Sequence, residues 1–322
     1  MEPEILKALI LFVLGLYVLV KGADILIRGS VSVAKIFKVS NWFVAIVIAG
    51  IGTSIPEMSV VIASALAGND IGLAALAGTN IFNMLVIIGF ISIISPLVIK
   101  PIWISRDFMI ALGAIIISVI FIFFPVLGDE AFLGVTALEA LVLIALLFVW
   151  FLFMFYRSDT SGGEEAEPDF EIFTILTSAL LILGGILGVF IGGNWVVDGA
   201  EVLALALGIT PAIVGFTVVA IGTSLPELTV SVVSLIQGRT SIAIGNILGS
   251  TTFNFLGILG IAGLITPIAV VGDLFSEFIA VIVSMLILLV AIFIGKRYRV
   301  GRIEGIILIL LYVAYIVYIF VI

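Results

Sequence analysis

The hexapeptides GTSIPE (52–57) and GTSLPE (222–227) each lie in the middle of an apolar run long enough to cross a bilayer. That placement limits what the chain can fold into. Pro56 and Pro226 lack an N–H, and each ring collides with the carbonyl four residues earlier, so a helix must break there. Carbonyls around Gly50–Thr53, and their counterparts in the second copy, lose intrahelical donors. At that depth this is tolerated only inside protein or beside a cavity that supplies a partner, and a cation is one such partner. Beyond each break, Ser54 and Glu57, like Ser224 and Glu227, have capping-box spacing for a new half-helix, with the proline in its tolerated first turn. A capped kink could serve bundle shape alone. Against that, of nine prolines only these two lie deep inside a span, and Glu57 and Glu227 are the only acidic residues placed near a span centre. Such a carboxylate costs about 2.5–3.5 kcal/mol on insertion scales, and a glutamine could cap without that cost. The pair marks a site.

The rest of the chain fits an all-α integral membrane protein in the lipid bilayer. Of its 322 residues 63% are hydrophobic and 11% charged, against about a quarter charged in soluble domains. Neither cysteine nor histidine occurs, which excludes disulfides, thiolate or imidazole metal sites and the catalysis built on them. Nothing resembles a nucleophile–base pair or a phosphate loop, so neither an enzyme nor a cofactor nor a nucleic-acid partner is expected. The start, MEPEILKALILFVLG, lacks a basic n-region and a cleavage site and reads as a retained first helix. Apolar runs give about ten spans: 4–27, 42–67, 72–97, 107–126, 132–156, 171–196, 211–236, 241–267, 275–295 and 303–322. Much of the net charge of −8 sits in the stretch RSDTSGGEEAEPDFE (157–171), six acids against one arginine. It reads as a solvated linker over 157–170, dividing five-helix halves at 1–156 and 171–322.

With these spans, eleven basic residues fall on one side (Arg28, Lys35, Lys38, Lys100, Arg106, Arg157, Arg239, Lys296, Arg297, Arg299 and Arg302), and Lys7 alone on the other. The positive-inside rule then puts both termini outside and the linker in the cytoplasm of a multi-pass cell-membrane protein. The halves repeat: 44–83 aligns with 214–254 with one residue inserted. An odd number of spans per half forces opposite polarity. Inverted repeats of this kind are a transporter architecture, with the substrate site near the midplane.

The helix after each break adds oxygen. Asn246, Ser250 and Asn254 are spaced by four and form one line on a helix; Ala75, Thr79 and Asn83 stand at the equivalent places. Gly245 and Gly249 also make a helix-packing motif. Carboxylates, hydroxyls, amides and freed carbonyls without sulfur or nitrogen ligands suit hard cations: Na+, Ca2+, Mg2+ or Mn2+. Two glutamates neutralise one divalent ion, two Na+ or two protons. An empty, doubly charged site resists crossing the bilayer, which is the physical basis of exchange.

The paired GTS(I/L)PE motifs, with G(T/S)xxFN at 78–83 and 249–254, resemble the alpha repeats of the sodium/calcium exchangers of the calcium/cation antiporter superfamily. The resemblance covers the whole chain and implies Ca2+ extrusion against Na+ by alternating access, with H+/Ca2+ exchange the alternative on the same scaffold. It implies that Glu57 and Glu227 are shared Ca2+ and Na+ ligands and that the carbonyls of Thr53 and Thr223 bind Ca2+. It places Na+ at Ser54, Ser224, Thr79 and Ser250 with the carbonyls of Gly50 and Ala220, and sets Asn83 and Asn254 at the central position. The first and sixth helices would slide across the rest. The chain departs from the pattern where Ala74-Ala75 replaces Gly-Asn. It departs again at Asn254, where potassium-dependent members carry aspartate. The short linker leaves no room for the large regulatory domain of animal exchangers, so a prokaryotic-type member is implied.

Overall fold

A computed structural model describes residues 3–124, 126–127, 132–157, 172–206, 220–272 and 274–321. Eight described helices are long and apolar enough to cross a bilayer. They are α1 (Pro3–Phe37), α4 (Ile71–Ile94), α5 (Trp103–Phe123), α6 (Ala137–Tyr156), α7 (Ile175–Ala206), α10 (Thr240–Ile265), α11 (Phe275–Ile294) and α12 (Arg302–Val321). A ninth span is broken: α2 (Asn41–Thr53) meets α3 (Ile55–Leu66) at a bend of 45°. Its counterpart is α8 (Ala220–Thr223) followed by α9 (Leu225–Ile236). The start of the seventh expected span and most of the acidic linker lie outside the described residues. About ten spans is the count this architecture fits.

Two helices are longer than expected. α1 runs 35 residues, about 52 Å at 1.5 Å per residue against a hydrocarbon core of roughly 30 Å. Arg28 and Lys35 therefore ride on the helix rather than in a loop. Charge alone does not end a helix; α1 stops only where Lys38 turns left-handed at φ 53°. α7 likewise extends 32 residues to Ala206.

α1 and α7 pack antiparallel along a glycine ladder. Gly15, Gly22 and Gly29 recur every seven residues on α1, and Gly185, Gly192 and Gly199 do so on α7. A Cβ added at Gly22 would lie 2.6 Å from the Val189 nitrogen; one at Gly185, 2.5 Å from that of Leu26; one at Gly15, 2.8 Å from that of Val196. Backbone thus rests on backbone along the whole pair. A seven-residue period on a 3.6-residue helix keeps the seam in line by supercoiling. The pairs Gly15/Gly185, Gly22/Gly192 and Gly29/Gly199 are also equivalent in the two halves, each 170 residues apart.

Two short antiparallel ribbons tie the loops. β1 (Leu97–Val98) pairs with β4 (Arg299–Val300), and β2 (Gly134–Val135) with β3 (Ile268–Ala269). β1 and β3 follow equivalent helices, α4 and α10, and α5 connects one ribbon's end of the bundle to the other's. Lys100, Arg297 and Arg299 lie beside the first ribbon. Trp42 at the start of α2 stacks on Trp103 at the start of α5, centroids 3.8 Å apart, so the Phe37 end of α1 belongs to this same basic end.

Candidate cation site

The proline breaks behave alike. Ser54 sits at φ −87°, ψ 7° and Ser224 at φ −91°, ψ 0°, each ending one helix and opening the next with proline in its first turn. The expected capping boxes do not form, for neither serine hydroxyl bonds the new helix's N–H groups. Ser54 Oγ instead donates to the Gly50 carbonyl at 3.0 Å. The carbonyl freed by the break lies nearer and is the better acceptor, so the hydroxyl turns backward.

The two halves meet at that carbonyl. Gly50 of α2 crosses Gly249 of α10 so closely that a Cβ on Gly50 would lie 2.7 Å from the Ser250 nitrogen. One on Gly249 would overlap the Ile46 oxygen. Because the backbones touch, Ser250 Oγ reaches the Gly50 carbonyl at 3.1 Å and Glu227 Oε1 at 3.5 Å. Thr53 Oγ1 lies 3.1 Å from Ser250 Oγ and donates to Asn246 Oδ1 at 3.2 Å. The Ser250 hydroxyl thus links Thr53 and the Gly50 carbonyl of the first half to the Glu227 carboxylate of the second. On the other flank Thr79 Oγ1 is 3.4 Å from Thr223 Oγ1.

Burial is nearly complete: Glu57 is 3% exposed, and Glu227, Ser54, Ser224, Ser250, Asn83 and Asn254 are 0%. Yet among the described residues both oxygens of Glu57, Oε2 of Glu227, Oγ of Ser224 and both amide atoms of Asn83 and Asn254 have no hydrogen-bond partner. Each buried polar atom left so costs about 1–3 kcal/mol, more if charged. Among the described residues neither carboxylate has an ion-pair partner. Hard cations suit oxygens of this kind. The Ala220 carbonyl belongs to the last turn before the second break, as Gly50 does before the first.

Some features were not read from the sequence. π-helical turns cover Asn83–Ile87 and Phe253–Ile258, and such turns often mark functional sites. Asn246 proves to be a structural tie, its amide nitrogen donating to the Glu227 carbonyl at 3.3 Å and Ser231 Oγ at 3.2 Å. Ala75 offers nothing comparable in the first half. Asn80 Oδ1 in the middle of α4 and Thr251 Oγ1 in the middle of α10, both buried, are also unpartnered among the described residues.

A polytopic helical bundle holding one all-oxygen pocket, built by two broken and oppositely directed repeats, is an ion transporter rather than an enzyme. The comparisons agree. The sodium/calcium exchanger protein family model matches residues 7–158 and 177–321, and the chain belongs to that family. It is 31% identical to the sodium/calcium exchanger MaX1 of Methanosarcina acetivorans, over 97% of this chain and 98% of that one. It is 30% identical to an uncharacterised membrane protein of Methanocaldococcus jannaschii, over 94% of each. The structure of the sodium-calcium exchanger NCX_Mj soaked with zero Na+ and Ca2+ superposes with a TM-score of 0.79 at 27% identity, covering 98% of this chain and 99% of that one.

Proposed function

We propose that the chain is a Na+/Ca2+ antiporter that extrudes Ca2+ by alternating access, with Glu57 and Glu227 as ligands that both ions share. The observation that carries this reading is the set of buried, unpartnered oxygens contributed by both halves. Two carboxylates balance one Ca2+ or two Na+, so the doubly charged empty form is the species least able to cross. Ser54, Ser224, Thr79 and Ser250 provide neutral oxygens in both halves. Na+ needs such oxygens, whereas protons need the carboxylates alone. The carbonyls of Thr53, Thr223, Gly50 and Ala220 complete the coordination, and Asn83 and Asn254 line the centre. The basic end faces the cytoplasm, both termini face outward, and α1 and α7 move together across the rest. The names borne by MaX1 and NCX_Mj support the ion pair.

The test loads proteoliposomes with Na+, dilutes them into Na+-free buffer containing labelled Ca2+, and collapses the pH gradient. Ca2+ uptake that requires internal Na+ is expected. Uptake indifferent to Na+ but driven by an imposed pH gradient would replace this reading with H+/Ca2+ exchange. Flux down a Ca2+ gradient with no counter-ion would indicate a channel.

A further inference from the structure

The two halves differ where the ladder helices meet the far ends of the half-helices. Asp24 of α1 and Asn194 of α7 hold equivalent positions, 170 residues apart like the ladder glycines. Asn194 is exposed and, with Phe190, Val197, Pro56, Thr223 and Pro226, lines a cavity of about 130 Å3 beside the breaks. Asp24 faces protein instead. Its Oδ1 accepts a 2.9 Å hydrogen bond from Gln237 Nε2, just past the end of α9, and its Oδ2 pairs with Arg28 one turn on at 3.1 Å. Ala67 occupies the position of Gln237 in the first half, so the bond has no symmetry mate.

A polar face leads from the cation site to that bond. Along α9, Glu227, Ser231 and Ser234 follow at intervals of four and three, all 0% exposed, with Gln237 three residues further. Ser231 is committed, donating to the Ala243 carbonyl and accepting from Asn246. Among the described residues Ser234 Oγ and Gln237 Oε1 have no partner. The contrast with the first half is sharp, because Val61 replaces Ser231 and Ser64 is saturated. Ser64 Oγ donates to Asn69 at 2.6 Å and accepts from the Gly72 N–H at 2.8 Å. A hydroxyl needed only for structure is satisfied, as Ser64 is. Ser234 is not, and Ile27 and Val31 of α1 cluster with Ile242 and Val233 over this region.

We infer that the Ser231–Ser234–Gln237 face of α9 is the ion passage between the site and the basic end, and that the Asp24–Gln237 hydrogen bond is the latch that keeps it shut. The inference rests on the antiport reading above, with the basic end cytoplasmic. When α1 shifts together with α7, the latch breaks, and Ser234 Oγ and Gln237 Oε1 meet water and the passing ion. A hydrogen bond to a carboxylate is worth enough to bias the two forms by roughly tenfold or more.

The chain lacks cysteine, so Ser234→Cys introduces a single thiol that a membrane-impermeant thiol reagent can probe from either face of oriented vesicles. Slow labelling from the basic face alone is expected. In that background Gln237→Leu raises the rate about tenfold, Gln237→Glu, which sets two like charges together, raises it further, and Gln237→Lys lowers it below the parent. A thiol at Asn194→Cys, probed from the opposite face, moves in the reverse order. Rates that ignore residue 237, or Ser234→Cys labelling from the face opposite the basic end, overturn the latch. Melting and Ca2+ binding of each variant identify any that misfold, and the Lys–Glu contrast must hold among those that do not. Labelling does not depend on the counter-ion. Loss of Na+-driven uptake with the labelling order intact would therefore sink the antiport reading and leave the passage standing; the converse result sinks the passage alone.

Discussion

Gly50→Ala tests whether the helix crossing builds the site. The added Cβ lies 2.7 Å from the Ser250 nitrogen and ordinary contact begins at 3.4 Å, so α2 and α10 must part by about 3.4 − 2.7 = 0.7 Å. The bond from Ser250 Oγ to the Gly50 carbonyl then stretches from 3.1 Å to about 3.8 Å, beyond useful range. The Thr53–Ser250 and Thr53–Asn246 contacts, 3.1 and 3.2 Å, cross the same seam. Losing one to three such bonds at about 1 kcal/mol each weakens apparent Ca2+ affinity about five- to 150-fold. Alanine's better helix propensity returns at most about 1 kcal/mol to the fold and nothing to the site. Half-saturation of Ca2+ uptake in proteoliposomes, normalised to folded protein, measures the effect. Gly78→Ala is the control: it opens the 78–83 segment next to Thr79, and its added Cβ meets nothing within 4 Å. Unchanged half-saturation in Gly50→Ala, or an equal change in Gly78→Ala, would refute the reasoning.

The ladder separates neighbouring glycines. Gly185→Ala drives a Cβ to 2.5 Å from the Leu26 nitrogen while Gly184→Ala meets open space, so only the former lowers the detergent melting point, by overpacking worth about 1–3 kcal/mol. Asp70, in the turn between α3 and α4, accepts the Gly272 N–H at 2.6 Å and the Val271 N–H at 3.0 Å. These bonds, that from Gly272 foremost, hold its carboxyl below the ordinary aspartate range. A depressed folded-state pKa stabilises fully above the unfolded value of about 3.9 and is lost as pH falls through the folded one. Asp70→Asn is therefore less stable at neutral pH, by only a few tenths of a kcal/mol (about 0.3) because solvent screens the group. The gap in melting temperature narrows as pH falls below about 5 and closes once pH is under the depressed folded-state value, and a gap independent of pH would contradict this.

The spans and both breaks were legible because hydrophobic run length, proline and intramembrane glutamate are local signals. So was the grouping of Thr53, Ser250 and Glu227, which hydrogen bonds join, since their motifs repeat. The direction of the Ser54 hydroxyl was not, because it is decided by a carbonyl that Ser250 also reaches from 200 positions away. The ends of α1 were misjudged for a related reason. Arg28 looks like loop chemistry, but it pairs with Asp24 on the same helix, and an ion pair one turn apart supports helix rather than ending it. The glycine heptads were visible in the sequence, yet a period names no partner. Only the fold shows that Gly15 and Gly22 pack against Gly192 and Gly185 of the other half, while Gly29 packs against Ser178 and Ile182.

Ca2+ binding to the purified protein, titrated directly in Na+-free buffer, tests most plainly whether acidic groups of opposite halves form a single centre. One Ca2+ per chain, displaced by Na+ and abolished equally by Glu57→Gln and by Glu227→Gln, is the predicted result. One full equivalent of Ca2+ retained by either variant at unchanged affinity would show that the two carboxylates do not act together.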